Sequence, residues 1–181
     1  MASLALAVAT AFAGVTDTSF VADNGDRTMR FETEIAAPAH DIWLALSTAE
    51  GWRRWAGKTA YVDFREGGAI ETSYRPDAPR GDRDNIKNQI VAIVPDRLLV
   101  FRNVQAPTNF KDPELFARVT SILRIEPLGP RRSRVVYEGE GFGKGAGFDA
   151  LYHQFAKGNA YTLSELRQAF PDAARRGGKR H

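Results

Sequence analysis

Between Gly147 and Phe170 the chain reads GFDALYHQFAKGNAYTLSELRQAF. Its apolar face carries Phe148, Leu151, Tyr152, Phe155, Thr162, Leu163, Leu166 and Phe170, in the steps of three and four that mark an α-helix. Asp149, His153, Lys157, Ser164, Glu165, Arg167 and Gln168 fall mostly on the other side. Gly145 and Gly147 supply a turn before the stretch, and Pro171 forbids its continuation. At 1.5 Å per residue the helix spans roughly 34 Å. A helix this long, with so aromatic a face, has to bury itself against a large apolar surface. The preceding chain offers one in the form of alternating strands. The expected architecture is α+β: one long C-terminal helix gripped by a curved antiparallel sheet of six to seven strands.

The strands follow from period-two patterning. In Thr28–Ile35, Met29, Phe31, Thr33 and Ile35 share one face and Arg30, Glu32 and Glu34 the other. Tyr61–Arg65 and Ala69–Tyr74 flank Gly67-Gly68, a hairpin signal. Ile86–Val94 and Leu98–Val104 are joined at Pro95-Asp96-Arg97, with Ile86, Asn88, Ile90, Ala92 and Val94 assigned to one face. Val119–Ile125 and Ser133–Glu140 form the last hairpin, with Val119, Ser121, Leu123, Ile125, Val135 and Tyr137 inward. Two short helices follow the first strand. One opens at Ala37-Pro38 and presents Ile42, Trp43 and Leu46. The other is capped by Ser47 or Thr48 and carries Trp52 and Trp55. The polar stretch Pro76–Asp84 is a surface loop. The stretch Gln105–Glu114 is a longer loop, with a helical turn starting at Asp112-Pro113. Gly139, Gly141, Gly143, Gly145 and Gly147 alternate at the end of the last strand, which points to a bulge or a close backbone approach.

Residues 4–13, LALAVATAFA, form a short apolar run ending in Ala-Phe-Ala, the small-residue pattern of a signal-peptidase site, though no Lys or Arg precedes it. Export with cleavage after Ala13, to the periplasm or outside the cell, is the expectation; the alternative is an apolar leader on a cytoplasmic protein. Residues 14–27 read as a linker, 28–171 as the domain, and 172–181 as a disordered basic tail.

Charge narrows the partners. The formal net charge is +3, but the last seven residues hold Arg175, Arg176, Lys179 and Arg180, so the folded body is near neutral. A nucleic-acid binder would carry its basic, aromatic-laced face on the domain itself, so nucleic acid is not expected as a partner. No cysteine is present, which removes disulfides, thiol catalysis and thiolate metal sites. His40, His153 and His181 are far apart and show no metal-ligand spacing. The glycine run lacks the Lys-Ser/Thr ending of a phosphate loop, and no cofactor is expected. No apolar run reaches transmembrane length.

The order of strand, two short helices, antiparallel strands and long helix resembles the START/Bet v 1-like superfamily, also called SRPBCC. Within it the chain is similar to the family of the activator-of-Hsp90-ATPase homologue C-terminal domain. The resemblance is carried by IAAPAHDIWLALSTAEGWRRW at Ile35–Trp55, DFREGGAIE at Asp63–Glu71, VPDRLLVF at Val94–Phe101 and the closing helix. It covers roughly Thr28 to Phe170. It implies the helix-grip fold and an apolar cavity between helix and sheet.

Candidate liners of that cavity are Trp43, Trp52, Trp55, Phe64, Tyr74, Tyr137, Tyr152 and Phe155, with Phe31 beside them. Asn88, Ser121 and Asn159 are candidate polar anchors for a ligand, and each has a plainer reading as a satisfied polar group. The parity of Arg102 is open. The expected function is non-enzymatic binding of a small apolar or amphipathic molecule. The alternatives are a polyketide-cyclase or hydrolase-like enzyme, which needs an acid or base in the cavity, and a chaperone-linked interaction module, which needs a large exposed apolar patch.

Overall fold

The alternation in the first long strand holds: Met29, Phe31, Thr33 and Ile35 are all buried in the computed structural model, which describes residues 12–171. That strand, β3 (Arg27–Ile35), pairs on one side with β9 (Arg132–Phe142) and on the other with two short strands, β1 (Val15–Asp17) and β2 (Phe20–Val21). The sheet continues from β9 through β8 (Thr120–Gly129), β7 (Leu98–Gln105), β6 (Ile86–Val94) and β5 (Ala69–Ser73) to β4 (Thr59–Val62). Every pairing is antiparallel, and the two ends of the sheet do not meet. The count of nine strands exceeds the expected six to seven because of the short β1 and β2.

Those two strands correct the reading of residues 14–27 as a linker. Thr33 Oγ1 donates to the Gly14 carbonyl at 2.6 Å, and the Arg30 amide donates to Ser19 Oγ at 2.9 Å. The segment is short and polar, so it carries no apolar period. The edge of β3 holds it there through backbone pairing.

The helices are α1 (Ala39–Ser47), α2 (Ala49–Trp55), a single turn α3 (Pro113–Phe116) and α4 (Ala146–Gln168). The last crosses β3, β9 and α2. Leu151, Tyr152, Ala156, Ala160, Leu163 and Leu166 form its buried face. Ser164, expected on the wet side, is buried as well; its hydroxyl donates to the Tyr161 carbonyl at 2.7 Å, which lets a small polar group sit in the apolar face. Burying each large apolar side chain contributes about 1.5–3 kcal/mol, so this face and the inward face of β3 anchor the fold.

Two further features correct or sharpen the sequence reading. The register of β6 on β7 shifts between Ile90 and Ala92, so Val94 is turned outward and exposed instead of sharing the Asn88 face. A bulge adds a residue and reverses the parity beyond it. The glycine run does mark a close approach: at Gly141, with φ +94°, an added Cβ would lie 2.2 Å from the Arg118 carbonyl oxygen. On the outer face, Glu138 joins Arg30 and Arg124 at 3.2 and 3.1 Å, as its polar parity requires. Among the described residues, no helix is long and apolar enough to cross a membrane.

Candidate functional site

The two tryptophans of α2 are set by the end of α1. A helix leaves its last four carbonyls without intrahelical partners. Here Thr48 Oγ1 donates to Leu44 O at 2.7 Å, Trp55 Nε1 to Ala45 O at 2.9 Å and Trp52 Nε1 to Leu46 O at 2.7 Å. Thr48 also caps α2, accepting from the Gly51 amide at 3.0 Å. Gly51 permits the contact between the two helices: an added Cβ would fall 2.5 Å from Ala45 Cα and 2.6 Å from the Leu44 and Ala45 carbonyl oxygens. The indoles are thereby pinned by their polar edges. They lie 4.6 Å apart, and Trp52 meets Phe101 edge-on at 6.1 Å.

Those rings form one wall of a chamber of about 410 Å³ between α4 and the sheet. Its floor is the concave face of the sheet: Thr72 on β5, Ile86 and Asn88 on β6, Phe101 and Asn103 on β7, Ser121 and Leu123 on β8, and Tyr137 on β9. Its roof is a second stripe of α4, beside the buried one: Gln154, Phe155, Gly158, Asn159 and Thr162, again at helical spacing. Pro107, Asn109 and Phe110 of the β7–α3 loop, with Phe116 of α3, close one end. Phe110, Phe116, Phe155 and Phe142 form an edge-to-face series, with centroids 4.9, 5.6 and 5.8 Å apart in that order. The loop is tied to the neighbouring one: Asp84 accepts from the Thr108 amide at 3.1 Å and from the Thr108 hydroxyl. Those bonds hold the Asp84 carboxyl below its ordinary value.

Eight of the eleven expected site residues line this chamber: Trp52, Trp55, Tyr74, Asn88, Ser121, Tyr137, Phe155 and Asn159. Three do not. Trp43 packs edge-on against Phe64 at 5.5 Å, within the same core but outside the chamber lining. Tyr152 faces the other side of α4, stacked edge-on with Phe142 at 5.0 Å and under the Arg27 guanidinium at 5.2 Å. Phe31 stacks on Tyr137 at 6.5 Å from the neighbouring strand β3, beside the floor and outside the lining. All four are large inward aromatics, and inward parity does not distinguish a core position from a wall. Asn103 and the wall residues Pro107, Asn109 and Phe110 of the β7–α3 loop were not among the expected site residues, although the loop itself was expected. The loop has no period, and β7 is apolar on both faces over its first half. The expected loop-borne helical turn at Asp112-Pro113 is present, and its Phe116 is a wall residue.

The chamber's chemistry is neutral. Among the described residues, none of its lining side chains is ionisable apart from tyrosines. Arg102 is exposed and donates outward to Gln89 at 2.8 Å. His40 pairs with Asp96 at 3.0 Å, and His153 is exposed. Ser121 Oγ and Tyr137 Oη share a hydrogen bond at 3.1 Å, and burial pushes the Tyr137 phenol well above its usual value, so it stays protonated. Asn103 Nδ2 donates to the Phe116 carbonyl at 3.2 Å, fixing the end of the loop. Asn159 is half-buried, with its Nδ2 3.9 Å from Met29 Sδ. Asn88 is buried, and its carboxamide oxygen has no hydrogen-bond partner among the described residues. A buried unpaired acceptor costs about 1–3 kcal/mol.

A curved antiparallel sheet gripping a C-terminal helix over a chamber defines the class of START/Bet v 1-like, helix-grip domains. The chain belongs to the polyketide cyclase/dehydrase and lipid transport family of that superfamily, whose model matches residues 26–169. No curated protein matches it. Among solved structures, the Aha1 dimer from Colwellia psychrerythraea is similar, with a TM-score of 0.61 at 15% identity over 79% of this chain and 95% of that one. CalU16 from Micromonospora echinospora has a TM-score of 0.61 at 17% identity over 91% and 90% of the two chains. The protein MLL2253 from Mesorhizobium loti gives 0.59 at 20% identity over 79% and 96%. At these identities the likeness is one of fold, and it agrees with the resemblance to the Hsp90-activator homologues drawn from the sequence.

Proposed function

We propose that this protein binds a small apolar or amphipathic molecule in the chamber between α4 and the sheet and carries it unaltered. The observation that carries the reading is the 410 Å³ chamber itself, walled by aromatic rings and neutral amides and hydroxyls. Burial of an apolar body against such walls supplies the affinity, and a few polar groups fix the orientation. The family's description includes lipid transport, which agrees with a carrier. It also includes cyclases and dehydrases, whose chemistry needs a proton donor or acceptor at the wall. Among the described residues the tyrosines are the only ionisable groups there, and burial pushes the Tyr137 phenol up, so it is a poor acid and is not available as a base, which favours binding over turnover. The test is titration with a polycyclic fluorophore, read by quenching of the Trp52 and Trp55 emission. Saturable quenching supports the carrier; no quenching at any accessible concentration removes it.

Export is part of the same proposal. Residues 1–11 of the apolar leader lie outside the described residues. The Gly14 carbonyl is bonded to Thr33, and Phe12 before it also packs against the core. Cleavage after Ala13 forfeits the contact of Phe12 with Tyr161, whose rings lie 5.9 Å apart. The mature protein isolated from its host is expected to begin at or near Gly14; an intact mass that still includes Met1 or Ala2 would sink the export reading.

A further inference from the structure

We infer that the molecule taken up here is uncharged and carries a hydroxyl on an apolar ring body, with Asn88 as the residue that selects for that hydroxyl. The inference rests on the carrier reading above and narrows it.

Two observations carry it. The first is the absence of countercharge. Among the described residues, no Lys, Arg, His, Asp or Glu lines the chamber. The nearby arginines are committed elsewhere: Arg27 to Asp149 and the Tyr152 ring, Arg118 over the Phe148 ring, Arg102 to Gln89 on the outer face. A carboxylate or ammonium drawn inside would lose its hydration with nothing to replace it. The second is the unmet demand of Asn88. The residue sits on the central floor, paired in register with Asn103 across β6 and β7, and is 94% buried (6% exposed). Its carboxamide oxygen has no partner among the described residues. Two other buried polar side chains of the floor are engaged: Ser121 with Tyr137, and Asn103 with the Phe116 carbonyl.

The orphaned oxygen has essentially no accessible surface and is turned away from the open volume; the terminal torsion of asparagine is soft, and a half-turn of the amide brings it to the chamber in exchange for the nitrogen. A hydroxyl both donates and accepts, and so satisfies either orientation. An ether or ketone only accepts, and a carboxylate accepts and adds a charge. The aromatic part of the wall, Trp52, Trp55, Phe101 and Phe155, suits a flat ring body packed against it.

The experiment compares three probes with one ring system and different heads: 1-hydroxypyrene, 1-methoxypyrene and pyrene-1-carboxylate. Dissociation constants are measured on the full chain near neutral pH, for the wild type and for Asn88→Leu. For the wild type the expected order is hydroxyl tightest, the methyl ether weaker by roughly two- to tenfold, as one net hydrogen bond allows, and the carboxylate weakest. In Asn88→Leu the hydroxyl and the ether should bind equally, with the ether unchanged or improved. The wild-type series stands by itself if the variant fails to fold. Equal binding of the hydroxyl and the ether, a preference for the carboxylate, or a hydroxyl preference that survives in Asn88→Leu overturns the inference and leaves the carrier reading intact. Failure of all three probes to bind the wild type overturns both.

Discussion

Gly158 is the position where a single substitution separates a chamber from a filled core. It lies in the interior of α4, on the stripe that roofs the chamber, and a Cβ added there meets no atom within 4 Å. Two effects of Gly158→Leu are then calculable. Leucine has a helix propensity better than glycine by nearly 1 kcal/mol in a helix interior. Its side chain enters open space beside Phe155 and Asn159, so the cost of overpacking, about 1–3 kcal/mol in a filled core, is not incurred. The sum predicts a variant as stable as the wild type or more stable by up to about 1 kcal/mol. The same side chain occupies part of a 410 Å³ volume, so probe affinity should fall by tenfold or more. Chemical denaturation gives the first quantity and pyrene titration the second. A loss of stability beyond about 1 kcal/mol would show that the roof is packed, and unchanged binding would show that the ligand sits elsewhere; either refutes the reasoning. Ser121→Phe is a poorer probe, because Ser121 is buried and bonded to Tyr137.

Other outcomes follow from the same geometry. Phe155 is half-buried and borders the chamber, so Phe155→Ala should cost about 1–2 kcal/mol, less than the 3–5 of an enclosed phenylalanine, while exposed His153→Ala should change stability by under about 0.5 kcal/mol. Equal effects on thermal stability would mean that the helix is wrongly phased. Gly51→Ala drives a methyl into the Ala45 backbone and should destabilise by about 1–3 kcal/mol while shifting Trp52 and Trp55, visible as an altered tryptophan emission. Acid should loosen the chamber's end. The Asp84 carboxyl is lower in the folded protein than unfolded, chiefly through its bonds from Thr108, so its tether is intact above the ordinary carboxylate range and lost as pH falls below about 4. Pyrene release should quicken there, and Asp84→Asn should remove most of that acceleration.

The fold was largely legible in the sequence because its two periods are strong. Period two in Thr28–Ile35 and Val119–Ile125, and the helix period after Gly147, place inward most of the residues that the structure buries; on α4 the exceptions are Ala156, Ala160 and Ser164. The divisions within the interior were not legible. Phe155 and Tyr152 are three apart on one helix, yet one roofs the chamber and the other packs on Phe142 beyond it. That distinction depends on where the sheet curves away from α4, a tertiary property without a local pattern. The β1 and β2 strands escaped because backbone pairing to an edge needs no apolar alternation. The bulge at Ile90–Ala92 escaped for a related reason: a one-residue register shift leaves no mark in composition. Asn88 was visible as an inward polar residue. That Asn103 is bonded while Asn88 is not depends on the Phe116 carbonyl, brought in by a loop with no period.

The central claim is that the chamber holds a small molecule, and native mass spectrometry of the protein purified from its own host tests it most directly. Wild type and Gly158→Leu are sprayed side by side under non-denaturing conditions. The account predicts a retained adduct on the wild type, lost on mild activation and absent or much reduced on Gly158→Leu. A bare wild type that also fails to take up pyrene probes, or an adduct equally abundant on both proteins, would contradict it.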